Sequence, residues 1–365
     1  MRKLPASQPG GTALPAALFV LTSACLCTLP SLAQADAVAD FYQGKQITLM
    51  IGTSPGGDYD QRGRMLARYM PRYIPGNPAI IPRNMPGGVG LQAAHWLYAV
   101  APKDGTSLHM VMQNMPVHQM LGGQGVQYDA GAFNWVGNTT NTPNVVTTWY
   151  TTGVKTVEDA KTKEVVLGAP GTATASVYYP MLMNALVGTK FKIIAGYPGG
   201  NDVNLAMERG EVGGRGSNAW ASWVSGNPAW IKEGKIHQLV QVGLKRHPDL
   251  PDVPLLMELG ANDEDRQVLR FMSADTAFAR AVATTPEVPA DRLNALRRAF
   301  DAAMKDPELL AESEKAKRDL GPMTGEEVQQ VVAELMATPP KVIERTKAIL
   351  EDSGRVSQVK TDAPK

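Results

Sequence analysis

Hydrophobic positions along this chain follow two alternating periods. Short apolar or β-branched runs end at glycine- and proline-rich turns, after which apolar residues recur every three or four positions. Residues 46–51 (QITLMI) read as a strand. They feed the turn Gly52-Thr53-Ser54-Pro55-Gly56-Gly57, then a helix with Met65, Leu66 and Tyr69 on one face. Residues 165–167 feed Gly168-Ala169-Pro170-Gly171 and a helix whose Val177, Tyr178, Met181, Leu182 and Ala185 share a stripe. Residues 193–195 feed Gly196-Tyr197-Pro198-Gly199-Gly200 and a short helix through Val203 and Ala206. This strand, tight turn, helix grammar predicts an α/β fold with two similar lobes, each opening on a glycine turn.

Between these junctions, residues 79–82 and 108–112 read as buried strands on either side of a helix over 91–99, and 133–149 as two short β-rich runs. Residues 235–244 read as strand. From Asp291 the pattern is helical, with Leu293, Leu296 and Phe300 in one stripe. Thr324, followed three residues later by Glu327, predicts a capping box for a helix carrying Val328, Val331 and Leu335.

Composition narrows the class. The chain has 365 residues, 36 Lys plus Arg against 35 Asp plus Glu, and two cysteines. A net charge of +1 with no basic cluster carries no footprint for nucleic acid. Two cysteines cannot build a disulfide scaffold, and 44% hydrophobic residues exclude a disordered chain. Arg2 and Lys3, an apolar run over 14–29 and the small-x-small triplet Ala33-Gln34-Ala35 read as a secretory signal covering residues 1–35. Its removal takes both cysteines and those two cations, leaving 34 basic against 35 acidic residues. Thr22-Ser23-Ala24-Cys25 loosely resembles a lipoprotein cleavage box, so lipid anchoring at Cys25 stands as the rival to an exported soluble product.

Candidate chemistry is sparse. Gly52-Thr53-Ser54-Pro55-Gly56 is a literal G-x-S-x-G between a strand and a helix, the context of a serine-hydrolase nucleophile elbow. The oxyanion hole of such an elbow uses the N–H after the nucleophile, and Pro55 has none. A small-molecule hydrolase using Ser54 is therefore the runner-up reading. Gly88-Val89-Gly90-Leu91-Gln92-Ala93 resembles a dinucleotide turn, but Gln113 and Asn114 stand where a ribose-binding acid is needed. The five histidines form no i, i+4 pair, so no metal or other cofactor is expected. Asp58-Tyr59-Asp60 fits helix capping better than a calcium loop. What remains is the set of glycine turns, which present backbone N–H groups at helix N-termini and suit anions without a catalytic residue.

Several ordered motifs then converge. Pro55-Gly56-Gly57-Asp58-Tyr59-Asp60 with Arg64, Asn84-Met85-Pro86-Gly87-Gly88-Val89-Gly90, Asp104-Gly105-Thr106-Ser107-Leu108, Gly196-Tyr197-Pro198-Gly199-Gly200 and Arg246-His247-Pro248-Asp249-Leu250-Pro251-Asp252-Val253-Pro254 resemble, in order, those of the Bug-type periplasmic solute receptors of tripartite tricarboxylate transporters. The resemblance implies a two-lobed type II periplasmic binding fold with a ligand cleft between lobes. It also implies a small carboxylate solute, delivery to membrane permease subunits, a monomeric state and no catalytic role for any residue.

By position, lobe one would comprise residues 36–145 plus 271–352 and lobe two residues 146–270, with a polar tail over 353–365. Ser54, Gly56, Gly57, Tyr59 and Asp60 would hold one carboxylate through loop amides and water, Asp60 serving as a helix cap or water holder. Asn114 is a further ligand-binding candidate. Gly171, Thr172, Thr174, Ser176 and Tyr197 would serve the second lobe. The chain departs from the family pattern at Tyr59, at Asp58 and over residues 211–218 (EVGGRGSN), where Arg215 is expected to reach the cleft as a bidentate carboxylate donor with Asn218 nearby. The same fold also serves signalling, which the residues do not separate from transport.

Overall fold

A computed structural model of the chain describes residues 37–172, 174–351 and 356–358. The export signal read at residues 1–35, with Cys25, lies outside them. Twelve strands form two six-stranded sheets among the described residues. The first sheet contains β1 (Gln46–Ile51), β2 (Ala79–Asn84), β3 (Ser107–Met110), β4 (Asn134–Asn138), β10 (Ala281–Thr284) and β11 (Met323–Thr324), in the order β11-β4-β10-β3-β1-β2. The second contains β5 (Asn144–Trp149), β6 (Val165–Ala169), β7 (Phe191–Ala195), β8 (Gly214–Ala219), β9 (Ile236–Val242) and β12 (Val356–Gln358), in the order β12-β7-β6-β8-β5-β9. In each sheet a parallel core adjoins antiparallel strands. β2, β1 and β3 run parallel in the first, and β7, β6 and β8 in the second. This is the two-lobed α/β architecture expected from the alternating periods.

The central parallel strands β1 and β6 are apolar because helices cover both their faces. Ile47, Leu49 and Ile51 of β1 and Leu167 of β6 are buried to 1% exposure or less. Helix α1 (Asp58–Tyr69) lays Met65, Leu66 and Tyr69 on the first sheet, as its period predicts. Other helices that shape the cleft are α2 (Met115–Met120), α3 (Ala175–Leu182), α4 (Gly200–Glu208) and α5 (Asp263–Ser273).

Three stripe assignments shift by a residue or end early. Tyr179 is fully buried and Tyr178 half-buried, whereas Ala185 is exposed. After Pro180 the chain widens into a π turn at Met183–Val187, which adds a residue to the turn and rotates Ala185 outward. The helix read over 91–99 likewise passes from α to π at Trp96–Val100. In Gly325–Met336 it is Val332, not Val331, that is fully buried, while the Thr324–Glu327 capping box forms as read.

The chain passes between sheets at 139–143 and again at 243–280. Asn138 joins these two crossings. Its buried amide accepts from Arg280 N–H at 3.0 Å and donates to the carbonyls of Thr140 at 2.7 Å and Ala277 at 2.9 Å. Val356–Gln358, within the stretch read as a polar tail, pairs in parallel with β7.

Helix α3 lies on β8 with no space between the backbones. A Cβ on Gly216 would come 2.0 Å from the Ser176 carbonyl oxygen. Gly216→Ala is expected to lower stability by about 2 to 4 kcal/mol through forced separation of α3 from the sheet, measured by thermal or urea unfolding.

Candidate ligand-binding site

Turn one leaves the carboxyl end of β1 and opens α1. Ser54, Gly56 and Gly57 are exposed there, and Gly56 adopts φ +90°, open to glycine at no steric penalty. Asp60 holds the turn from inside the helix. It is 3% exposed, accepts the Gly56 N–H at 2.8 Å, and takes Arg64 Nε and Asn84 Nδ2 at 2.9 Å each. Asn84 also donates to the Thr53 carbonyl at 2.9 Å. Burial alone would raise the Asp60 carboxyl, but the bonds from Arg64, Gly56 and Asn84 outweigh it and hold it at about 2. Asp60, the third residue of α1, reaches back past the helix start to the Gly56 N–H. Gly57 occupies the cap position without a side-chain bond, and Asp60 engages the Gly56 amide that was expected to face an anion.

The charge at Asp58, expected to repel an anion, is compensated. Its carboxylate meets Arg62 Nε at 3.0 Å and Arg280 Nε at 2.5 Å. Burial pushes it up, and the two guanidinium groups pull it below the ordinary carboxylate range. Arg280 also stacks over the Tyr59 ring at 4.1 Å, and the Tyr59 hydroxyl accepts the Gln113 N–H at 3.1 Å. On one side of this ionic floor a cavity of about 180 Å³ opens between the sheets, with Arg62, Arg280 and Arg318 facing Ser222 and Ser225 across Thr142.

On the other side lies a second cavity of about 190 Å³, where the structure brings expected residues of both lobes together. Asn114 and Gln113 enter from the first lobe, and Thr174 and Tyr178 from the second. Val117, Leu121 and Met272 make its walls apolar. Asp275 also lines it at 5% exposure, accepting the Tyr179 hydroxyl at 2.7 Å and bonds from the Gln113 side chain and the Thr276 N–H. Desolvation outweighs those bonds and pushes its carboxyl up to about 7.

The remaining second-lobe candidates divide by local chemistry. Gly171 accepts from Thr174 Oγ at 2.7 Å, and Thr172 is exposed. The Ser176 hydroxyl is spent on the Ser217 carbonyl at 3.0 Å. Tyr197 and Asn218 are half-buried, at the end of β7 and on β8. Arg215 sits beneath the Gly196-to-Gly200 turn, in register with Gly168 of β6. Its Nη1 reaches the Gly200 carbonyl at 3.3 Å and Asn204 Oδ1 at 3.2 Å, its plane lies 5.7 Å from Trp223, and its buried Nε has no partner. Burial lowers its pKa to about 10. It braces α4 from below.

Ser54 has no base attached. Buried His109 points Nδ1 at the Met50 carbonyl, 3.0 Å away, and burial drops it to about 4. Among the described residues, no group of three His, Cys, Asp or Glu side chains could hold a metal, and no helix is long and apolar enough to cross a membrane.

The chain matches no protein-family model. It is 26% identical over 332 residues to a UPF0065 protein of Cupriavidus necator, covering 88% of this chain and 92% of that one. Among solved structures, a TctC solute-binding protein from Polaromonas shares its architecture at a TM-score of 0.63 and 18% identity, over 85% of this chain and 99% of the other. The chain has the fold of the TctC and Bug-type solute-binding proteins. The TctC-type architecture recurs in MatC from Rhodopseudomonas palustris with bound malate, at a TM-score of 0.58 and 18% identity over 84% of this chain and 99% of that one.

Four residues of this site, Gln113, Tyr178, Asp275 and Arg280, are not among those that the sequence motifs mark as ligand-binding. A signal existed for two of them. Asp275 is the single charge in residues 271–279 (FMSADTAFA), and Arg280 follows directly, and a lone charge in an apolar run is either paired or functional.

Two carboxyls give opposite expectations. Asp60→Ala removes three bonds to a buried anion and is expected to lower stability by about 2 to 4 kcal/mol. The contribution of Asp60 in the parent, present above pH 4, fades as pH falls toward 2, and acid unfolding of the pair would show it. Asp275 has the reverse sign. Its folded pKa lies above the unfolded one, so its contribution is full below pH 4 and is lost as pH rises toward 7. Asp275→Asn is expected to flatten that stretch of the stability curve.

Proposed function

We propose that this chain is an exported periplasmic receptor that captures a small carboxylate between its lobes and hands it to a membrane permease. It works as a monomer and catalyses nothing. The observation that carries this reading is the cavity in which Asn114 of one lobe faces Thr174 of the other, at the carboxyl ends of the parallel strands, where open α/β sheets take their ligands. The malate held by MatC, a neighbour of the same fold, supports a carboxylate as the solute class.

In this reading the turn amides of Gly57 and Gly171 and the hydroxyls of Ser54, Thr172 and Thr174 surround one carboxylate. Tyr59, engaged with Arg280 and Gln113, keeps the floor of the cleft fixed. Arg215 acts from below the Gly196-to-Gly200 turn, adding positive potential at the start of α4, and Asn218 and Tyr197 flank that approach. Three or four charge-assisted bonds at roughly 1.5 to 3 kcal/mol each reach the roughly 8 kcal/mol of a micromolar complex.

A thermal-shift screen of mono-, di- and tricarboxylates, with sugars and amines as controls, tests the class. A binding carboxylate at 100 times its Kd stabilises by about 2.7 kcal/mol. Stabilisation by sugars or amines alone would overturn the reading, as would ester hydrolysis abolished by Ser54→Ala. With a binding acid in hand, Thr174→Val is expected to weaken affinity about tenfold by calorimetry.

A further inference from the structure

The cavity shared by Asn114 and Thr174 has an acid at its inner end and no arginine or lysine on its walls. Asp275 lies on the second crossing, in the short helical segment Ala274–Phe278 that immediately precedes Arg280 and β10. It touches both lobes, through Gln113 on one and Tyr179 of α3 on the other. Val117, Leu121, Met272 and Tyr178 leave the space beside it apolar. A second anionic group would meet an acidic end and no counter-ion there. An apolar body would strip the remaining water from the Asp275 carboxyl, and desolvation favours its neutral form.

We propose that this cavity selects organic acids with one carboxylate and an apolar body, a ring or a hydrocarbon chain, and that binding is accompanied by uptake of one proton on Asp275. This rests on the carboxylate reading above and names the solute class within it. The solute enters as a monoanion and a proton moves from solvent to a carboxylate oxygen of Asp275. The closed site therefore gains no net charge. Neutral Asp275 still accepts the Tyr179 hydroxyl and becomes a donor at the closed end of the cavity.

The charged and titratable groups around Asp275 are few. Tyr179 approaches from α3 with Tyr178 beside it on the cavity wall, raised by burial, Tyr59 from α1 with Arg280 held over its ring, and His118 of α2 lines the same cavity. The tyrosines are pushed above their ordinary range by burial, so they stay neutral across the window tested. His118 is the acid–base side chain that needs a control.

The experiment compares matched acids, benzoate and hexanoate against succinate and adipate, on the parent, Asp275→Asn and His118→Gln, by calorimetry from pH 5.5 to 8.5. The parent is expected to bind the apolar monoanions at least tenfold tighter than the dianions. Their affinity should fall as pH rises above 7, approaching tenfold per pH unit, the limit for one proton. Titrations in two buffers of different ionisation enthalpy should report about one proton taken up at the upper end of this range. Asp275→Asn, which keeps the Tyr179 bond, should bind with no pH slope and no proton uptake, whereas His118→Gln, which alters a cavity wall and so the absolute affinity, should keep both the slope and the proton uptake of the parent.

A slope that survives in Asp275→Asn, or disappears in His118→Gln, overturns the assignment to Asp275. Tighter binding of succinate or adipate overturns the solute class while leaving the carboxylate receptor intact. Failure of all four acids alongside binding of a sugar or amine falls on the carboxylate reading itself.

Discussion

The buried amide of Asn138 fixes the relation between the two halves of the molecule. An asparagine side chain offers two donors and an acceptor, and here all three functions are used between the crossings: the Thr140 carbonyl on the first, the Ala277 carbonyl and the Arg280 N–H on the second. Without it, several backbone groups would be buried unpaired at the point where two chain segments run side by side. Each would cost about 1 to 3 kcal/mol. Apolar packing also runs through the crossing, where one buried cluster joins Leu97 and Trp135 of the first half to Val146, Leu167 and Tyr179 of the second by way of Phe271 and Phe278. Trp135 packs on Phe278 at 6.0 Å near the crossing, while Trp149, Trp223 and Trp230 form a separate cluster in the second half.

Charge is distributed around that crossing with clear asymmetry. Asp58 faces two guanidinium groups and is held ionised, and Asp60 is surrounded by donors. Asp275 has hydroxyl and amide donors but no cation, so desolvation prevails. Arg215 is the converse, a guanidinium with carbonyl oxygens for partners and no carboxylate. Compensated charges build the floor of the cleft. The two uncompensated ones lie beside the turns at the strand ends, where an incoming ion alters the balance most.

Much of the fold was legible because period and punctuation agreed. QITLMI is β1 to the residue, and the three glycine turns sit where apolar runs end. What the pattern missed depends on tertiary contact. Tyr179 rather than Tyr178 faces the core because a π turn follows Pro180, and nothing in a 3.6-residue period announces a wider turn. At the site, Asn114 and Thr174 line one cavity, whereas Ser176 is consumed by the Ser217 carbonyl and Asp60 by the Gly56 amide. Those assignments depend on what stands opposite a side chain. Asp275 was visible as a charge among apolar residues, but its cavity is assembled from three separate stretches of chain, 113–121, 174–178 and 272–275.

The contact between Gly216 and the Ser176 carbonyl has a mechanical corollary. Because the α3 and β8 backbones meet at Gly216, with Pro180 and the Ser176 hydroxyl closing the seam beside it, the helix has no slack in which to slide, and it moves with the second sheet as one lever arm. Thr174, Tyr178 and Tyr179 ride on that arm at one end of it, two of them facing the cavity and one bonded to Asp275. An angular change at the crossing is delivered undiminished to the cavity wall. In the other direction, a molecule that fills the cavity pushes on a rigid part, and the force is felt at the pivot.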